Sequence, residues 1–310
     1  MSRIILFRIL RSLATLLIAV TIVFFFIRLS GDPAQALAPP DAPPEVVEAY
    51  RVKLGLDKPL PVQYANYVLG LFQGDFGYSI HTGKSSLTLF LERLPATLML
   101  GGTALAIAVV FGILIGAVAA LNRNSFIDRL VMGFSVFAFA MPNFFFGLVV
   151  ILTGALVFGV FFGAAANGQI SLFLLLPPAA TLGLASMGAF ARFTRSSLLE
   201  TINQPFMMAL EARGVPAARR LWRHAAPNAA IPIVTMLGLS LGSLVAGAVV
   251  TEQVFAWPGV GQLLVRSVAT RDIAVVQFLV LAVTFSMTFA NLAVDILYAF
   301  LDPRIRRAAS

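Results

Sequence analysis

The chain has 310 residues, 59% of them hydrophobic and 12% charged, with a mean hydropathy of +0.91 and a formal net charge of +8. Soluble domains run about half apolar and about a quarter charged, so this composition excludes one and points to a polytopic membrane protein. The absence of cysteine excludes disulfide scaffolds, thiolate metal sites and cysteine nucleophiles.

A bilayer core about 30 Å thick takes roughly 20 apolar residues of helix. Six stretches qualify in chain order: Ser12 to Leu29, Pro95 to Leu121, Leu130 to Phe162, Ser171 to Ala191, Ala229 to Thr251 and Ile273 to Leu301. The third is too long for one straight span. Pro142, between Met141 and Asn143, predicts either a kink or the end of a short interfacial piece there.

Sidedness follows from the basic residues. With the N-terminus in the cytoplasm, fourteen lie inside, all arginine: Arg3, Arg8, Arg11, Arg123, Arg129, Arg192, Arg195, Arg213, Arg219, Arg220, Arg223, Arg304, Arg306 and Arg307. The other eight fall outside, five of them in one long loop, which counts for little in this rule. Both termini are therefore expected inside. The positive charge reports orientation and lipid contact, and nucleic acid is not an expected partner. Arg3, Arg8 and Arg11, an apolar core and Ala36-Leu37-Ala38 imitate a signal peptide. The core is long for a signal, and its removal would leave five spans and break the sidedness, so an uncleaved first span is expected.

The organisation reads as a cytoplasmic N-terminus with its first helix (1–30), an extracytoplasmic loop with short helices (31–94), and a five-helix core (95–310). The outer loop is proline-rich at first, then predicts helices over Pro44–Leu54 and Val62–Phe72, and ends in the turn signal Gly74-Asp75-Phe76-Gly77. The core carries one long inner loop, 192–228. There Pro205-Phe206-Met207-Met208-Ala209-Leu210 predicts a short helix with Gly214 as its C-terminal cap, and Pro216 opens a second. Such a helix could anchor at the membrane surface, pack on the bundle, or dock a cytoplasmic partner.

Most candidate chemistry fails on context. Gly77 to Ser85 (GYSIHTGKS) imitates a phosphate loop, but with five residues between the glycines and no strand before it. Gly238-Leu239-Ser240-Leu241-Gly242 matches GxSxG, yet it falls within an apolar helix. The two histidines, His81 and His224, lie on opposite sides. Gly112-xxx-Gly116, Gly159-xxx-Gly163 and Gly238-xxx-Gly242 read instead as helix-contact faces. Neither a metal site, a cofactor nor catalysis is expected of this chain. The cores of spans one to five contain no Asp, Glu, Lys, Arg or His, and the sixth has only Asp295. Ion-coupled transporters and channels usually need such groups, so a passage here would draw its energy from outside the chain. Ser135, Asn143, Ser186, Ser240 and Ser243 are candidates to line that passage.

The inner segment 207–235 resembles the EAA loop of ABC importer permeases of the dipeptide/oligopeptide/nickel class. With the family glycine on Gly214, the EAA triplet falls on Met208-Ala209-Leu210 and the closing proline on Pro227. The first and third letters of the triplet depart from the general pattern. Further matches run in order along the chain: Gly55-Leu56-Asp57-Lys58-Pro59, Gly74-Asp75-Phe76-Gly77-Tyr78-Ser79, Arg93-Leu94-Pro95-Ala96-Thr97-Leu98, Glu252-Gln253-Val254-Phe255, Pro258-Gly259-Val260-Gly261 and Asp302-Pro303-Arg304. The resemblance implies an all-α, six-span type I importer permease in the bacterial inner membrane. It also implies four partners: a second permease, either a different chain or a second copy of this one, two cytoplasmic ATPase subunits that hold ATP and magnesium, and an extracytoplasmic binding protein. The implied solute is a di- or oligopeptide, with nickel chelates, opines or sugars as alternatives. The implied coupling residues are Phe206, Met207, Ala209, Leu210, Glu211, Arg213 and Gly214. Their apolar members would fill an ATPase groove, Glu211 and Arg213 would pair at its rim, and Gly214 would permit the turn.

Overall fold

A computed structural model describes residues 2–29, 31–32, 34–35, 38, 41–53, 55–160, 162, 171–242 and 248–301. The described residues form helices α1 (Ser2–Leu29), α2 (Pro44–Lys53), α3 (Leu60–Phe72), α4 (Ser86–Leu121), α5 (Phe126–Ala140), α6 (Asn143–Phe158), α7 (Leu172–Ile202) and α8 (Pro205–Ala212). Next come α9 (Ala217–Arg219), a π-helical stretch (Arg220–Ala225), α10 (Ala226–Gly242), α11 (Val249–Val254), α12 (Val260–Ala269) and α13 (Ile273–Leu301). Among these residues the only β pairing is one isolated bridge between Tyr78 and Ser85.

Among the described residues five helices are long and apolar enough to cross a bilayer: Leu6–Phe26, Ser86–Leu121, Leu172–Ile202, Ala217–Leu241 and Ile273–Ala293. A sixth crossing is the broken pair α5 and α6, bent by 100°. Pro142 therefore ends one helix and opens the next, since it lacks the N–H that would continue the first. The direction of this crossing follows from its neighbours. Along α4 and α7, Ala96 packs near Leu175 and Ala179, Ala108 near Phe190, and Ala120 near Leu198. The two helices are thus parallel, and the chain between them has to return across the membrane.

Small residues set that pairing. A Cβ on Gly112 would lie 2.6 Å from Phe190 Cβ, and one on Gly116 would lie 2.4 Å from the Ala191 carbonyl oxygen. Gly183 meets the Ala104 carbonyl oxygen at 2.7 Å in the same way. The expected helix contact at Gly112 and Gly116 is therefore an internal one, as small-residue faces in lipid favour. Gly159 is instead the left-handed cap that ends α6, with φ +62, and Gly163 lies outside the described residues.

Several boundaries differ from the sequence expectation. α4 starts nine residues before Pro95, because the Ser85 side chain caps it by accepting the Thr88 N–H at 3.1 Å. α7 runs on to Ile202, past Ala191. Thr251 belongs to the separate helix α11 rather than to the fifth span. At the inner end, Arg195 of α7 grips the Asp128 carboxylate through two hydrogen bonds of 2.5 and 2.7 Å, pinning the start of α5.

Outside, α3 leans on α1. Phe24 packs edge-on to Tyr64 and stacks with Tyr67, Arg28 lies 3.6 Å over the Phe24 ring, and Arg28 Nε donates to Gln63 at 2.9 Å. α3 buries no residue of its own. Residues 77–85 form a strap: Ser79 N donates to the Lys84 carbonyl, and Ser79 Oγ donates to Asp272 Oδ2 at 2.5 Å. The GYSIHTGKS stretch thus fastens the outer loop to the turn before α13.

Candidate functional site

The inner loop is built by local signals. Pro205 starts α8, where its missing N–H costs nothing. The helix ends in a Schellman turn: Gly214 N donates to the Glu211 carbonyl at 2.8 Å and Val215 N to the Leu210 carbonyl at 3.1 Å. Gly214 adopts φ +71, and Pro216 precedes the next turn. Further on, Pro227 offers no N–H to the Arg223 carbonyl, a physical reason for the helix to widen into its π-helical stretch. Asn228 Nδ2 meets the His224 carbonyl at 2.7 Å.

Helix α8 shows two unlike faces. Met207, one of the residues expected to dock, is buried within the chain at 6% exposure, and α8 packs on the π-helical stretch that follows. Met208, absent from that expected set, is 60% exposed beside the exposed Phe206 and Ala209. Leu210 is half-buried, while Arg213 and Gly214 are exposed. Glu211 has a partner within the chain, since Arg220 Nη1 donates to its Oε2 at 2.8 Å. That guanidinium holds the Glu211 carboxyl below the usual carboxylate range.

The polar residues expected along a passage lie on several helices. Ser135 is fully buried; its hydroxyl donates to the Val131 carbonyl at 2.7 Å, and its backbone carbonyl lies against Gly188 of α7. It therefore sits in the α5–α7 contact. Asn143, Ser186 and Ser240 are half-buried on three different helices. The Ser240 hydroxyl donates to the Met236 carbonyl at 2.9 Å, the back-bond common for a serine within a helix. Ser243 lies outside the described residues.

One charged residue has a place that the sequence reading did not give it. Glu252 of α11 has no solvent exposure, and its Oε1 accepts the Thr97 hydroxyl of α4 at 2.6 Å. Its Oε2 accepts the Gln262 N–H of α12 at 3.1 Å. Burial pushes this carboxyl above the usual range, and the hydrogen bonds from Thr97, Gln262 and Gly261 oppose the rise only in part.

Spanning helices, a broken crossing between two parallel helices and a short half-exposed helix between the fourth and fifth spans describe a multi-pass membrane protein. The comparisons with known proteins agree. The chain belongs to the family of binding-protein-dependent transport system inner membrane components, whose model matches residues 112–307, and the N-terminal model of the same systems matches residues 1–101. It is similar to the glutathione transport system permease protein GsiC of Salmonella typhimurium, 40% identical over 301 residues covering 96% of this chain and 97% of that one. The GsiC of Escherichia coli K12 is 38% identical over 300 residues, with the same coverage. The chain is thus an ABC-type importer permease of the inner membrane.

Proposed function

We propose that this permease is driven through α8, which docks in a groove of a cytoplasmic ATPase subunit. Two such ATPases, holding ATP and magnesium, act on this chain and on a second permease that completes the passage. An extracytoplasmic binding protein delivers the solute. The observation that carries the reading is the outward set Phe206, Met208 and Ala209, raised on a helix that Met207 anchors and the Gly214 turn ends. Closure of the ATPase pair pushes on that helix, and the spans attached to it rock. Glu211 and Arg220 brace the helix against the following turn, and the exposed Arg213 is a basic group at the rim. Gly214→Val tests the reading, because a β-branched residue at φ +71 is strained by about 1–2 kcal/mol. Uptake is expected to fall at least tenfold, with loss of the ATP hydrolysis stimulated by the binding protein and unchanged membrane insertion. Normal uptake in this variant would refute the coupling role.

The solute class proposed is the short peptide, glutathione being itself a tripeptide. The support is the likeness to two glutathione permeases over nearly the whole chain. Competition for uptake among glutathione, a dipeptide and a sugar, in vesicles holding the complete transporter, decides it.

A further inference from the structure

Helices α11 and α12 form an outer hairpin that closes over the end of α4. Besides Glu252, three of its groups reach α4 directly. Trp257 Nε1 donates to the Ala96 carbonyl at 2.9 Å, Val260 N donates to Thr97 Oγ1 at 2.8 Å, and Arg93 Nη1 reaches the Pro258 carbonyl at 3.5 Å. The Thr97 hydroxyl therefore accepts from the hairpin backbone while it donates to Glu252.

The carboxylate also answers a need of α12. The residue at its N-cap is Gly259, which has no side chain to satisfy the first N–H groups of the helix. Glu252 supplies that acceptor from another helix, at the positive end of the α12 dipole. The glycines make the seat. A Cβ on Gly259 would lie 2.1 Å from Glu252 Oε1, and one on Gly261 would lie 2.5 Å from Val249 Cα and 2.9 Å from Glu252 Oε2. Gly259 has φ −100, so space and not backbone freedom accounts for it.

We propose that Glu252 is a positioning residue for transport: with Thr97 it welds the outer hairpin to α4 throughout the cycle. The hairpin then moves with its own bundle, and the outer opening forms elsewhere, at the seam with the second permease. This rests on the chain being a permease and not on the coupling role of α8.

The chain has no cysteine, so introduced cysteines report cleanly. Thr97→Cys with Val260→Cys replaces one hydrogen bond of the clasp by a disulfide when an oxidant is added to the assembled transporter. Uptake in the oxidised form is expected to equal or exceed that in the reduced form, which lacks the Thr97 hydroxyl; loss on oxidation, reversed by reductant, would overturn the proposal. Glu252→Ala is expected to lower uptake at least tenfold and to open the buried Ser267→Cys to a membrane-impermeant maleimide, while Glu252→Gln keeps half or more of the uptake. Oxidising the cysteine pair in the Glu252→Ala background restores uptake if the clasp is the cause. A formed disulfide without recovery contradicts it, whatever else the alanine variant disturbs. The coupling loop is read separately, from stimulated ATP hydrolysis in Gly214→Val.

Discussion

The inner loop and the outer hairpin flank the same fifth span, and both are short helices joined by glycine and proline. They use these parts in opposite ways. Gly214 is there for its left-handed backbone and has open space around it, whereas Gly259 has an ordinary backbone and no space at all. Glu211 is exposed and paired with an arginine, while Glu252 is buried and held by a hydroxyl and backbone N–H groups. On the proposed function one element displays a surface to another chain, while the other is part of the interior. Substitutions in the outer hairpin should therefore cost stability and uptake together. Those on the displayed face of α8 should cost coupling alone.

The largest effect is expected at Gly259→Ala. Its new Cβ displaces the carboxylate, and overpacking of this kind costs about 1–3 kcal/mol, added to whatever the released hydrogen bonds contribute. Thermal unfolding of the purified complex should fall by several degrees and uptake should drop at least tenfold. An unchanged unfolding temperature would mean that the hairpin is loosely held, and the contrast with α8 would collapse.

A sharper test lies within α8, where two adjacent methionines face opposite ways. Met207→Ala removes a buried side chain and should destabilise the subunit by about 2 kcal/mol, the lower end for such losses because the helix lies at the edge of the bundle. Met208→Ala should leave unfolding within about 0.5 kcal/mol of the parent while lowering coupled uptake three- to tenfold. Equal effects of the two would deny α8 its separate faces.

The same contrast explains how much could be seen in advance. The turn at Gly214 and the helix before it are encoded within twelve residues, by Pro205, Gly214 and Pro216, so the sequence reveals them. Crossing number is also legible, because it needs only the length of apolar runs. The helix ends are not. Ser85 caps α4 beyond its apolar stretch, and α11 continues the apolar run of the fifth span past its end, so hydropathy alone misplaces both. Glu252 is harder still: its partner Thr97 is 155 residues away, and a lone glutamate after an apolar run reads as the polar end of a span. Met207 and Met208 are chemically identical, and only the packing of α8 tells them apart.

The smallest effect expected is the response of the two carboxylates to pH, and its sign separates the regions. Glu252 titrates above the usual range in the folded chain, so folding favours its protonated form. Its contribution to stability is greatest below the unfolded pKa of about 4.3 and declines as pH rises through the folded value. Glu252→Gln removes that decline, and the variant should gain on the parent as the medium becomes more alkaline. Glu211 titrates below the usual range, so its pairing with Arg220 contributes above the unfolded value and is lost only as pH falls through the folded one. Glu211→Gln should therefore lose on the parent at neutral pH, by a margin that salt reduces because the pair is exposed. Thermal unfolding of both variants between pH 4 and 9 gives the two slopes. Slopes of the same sign would mean that the buried carboxylate has a cationic partner after all, and that the inner and outer glutamates are variants of one surface ion pair.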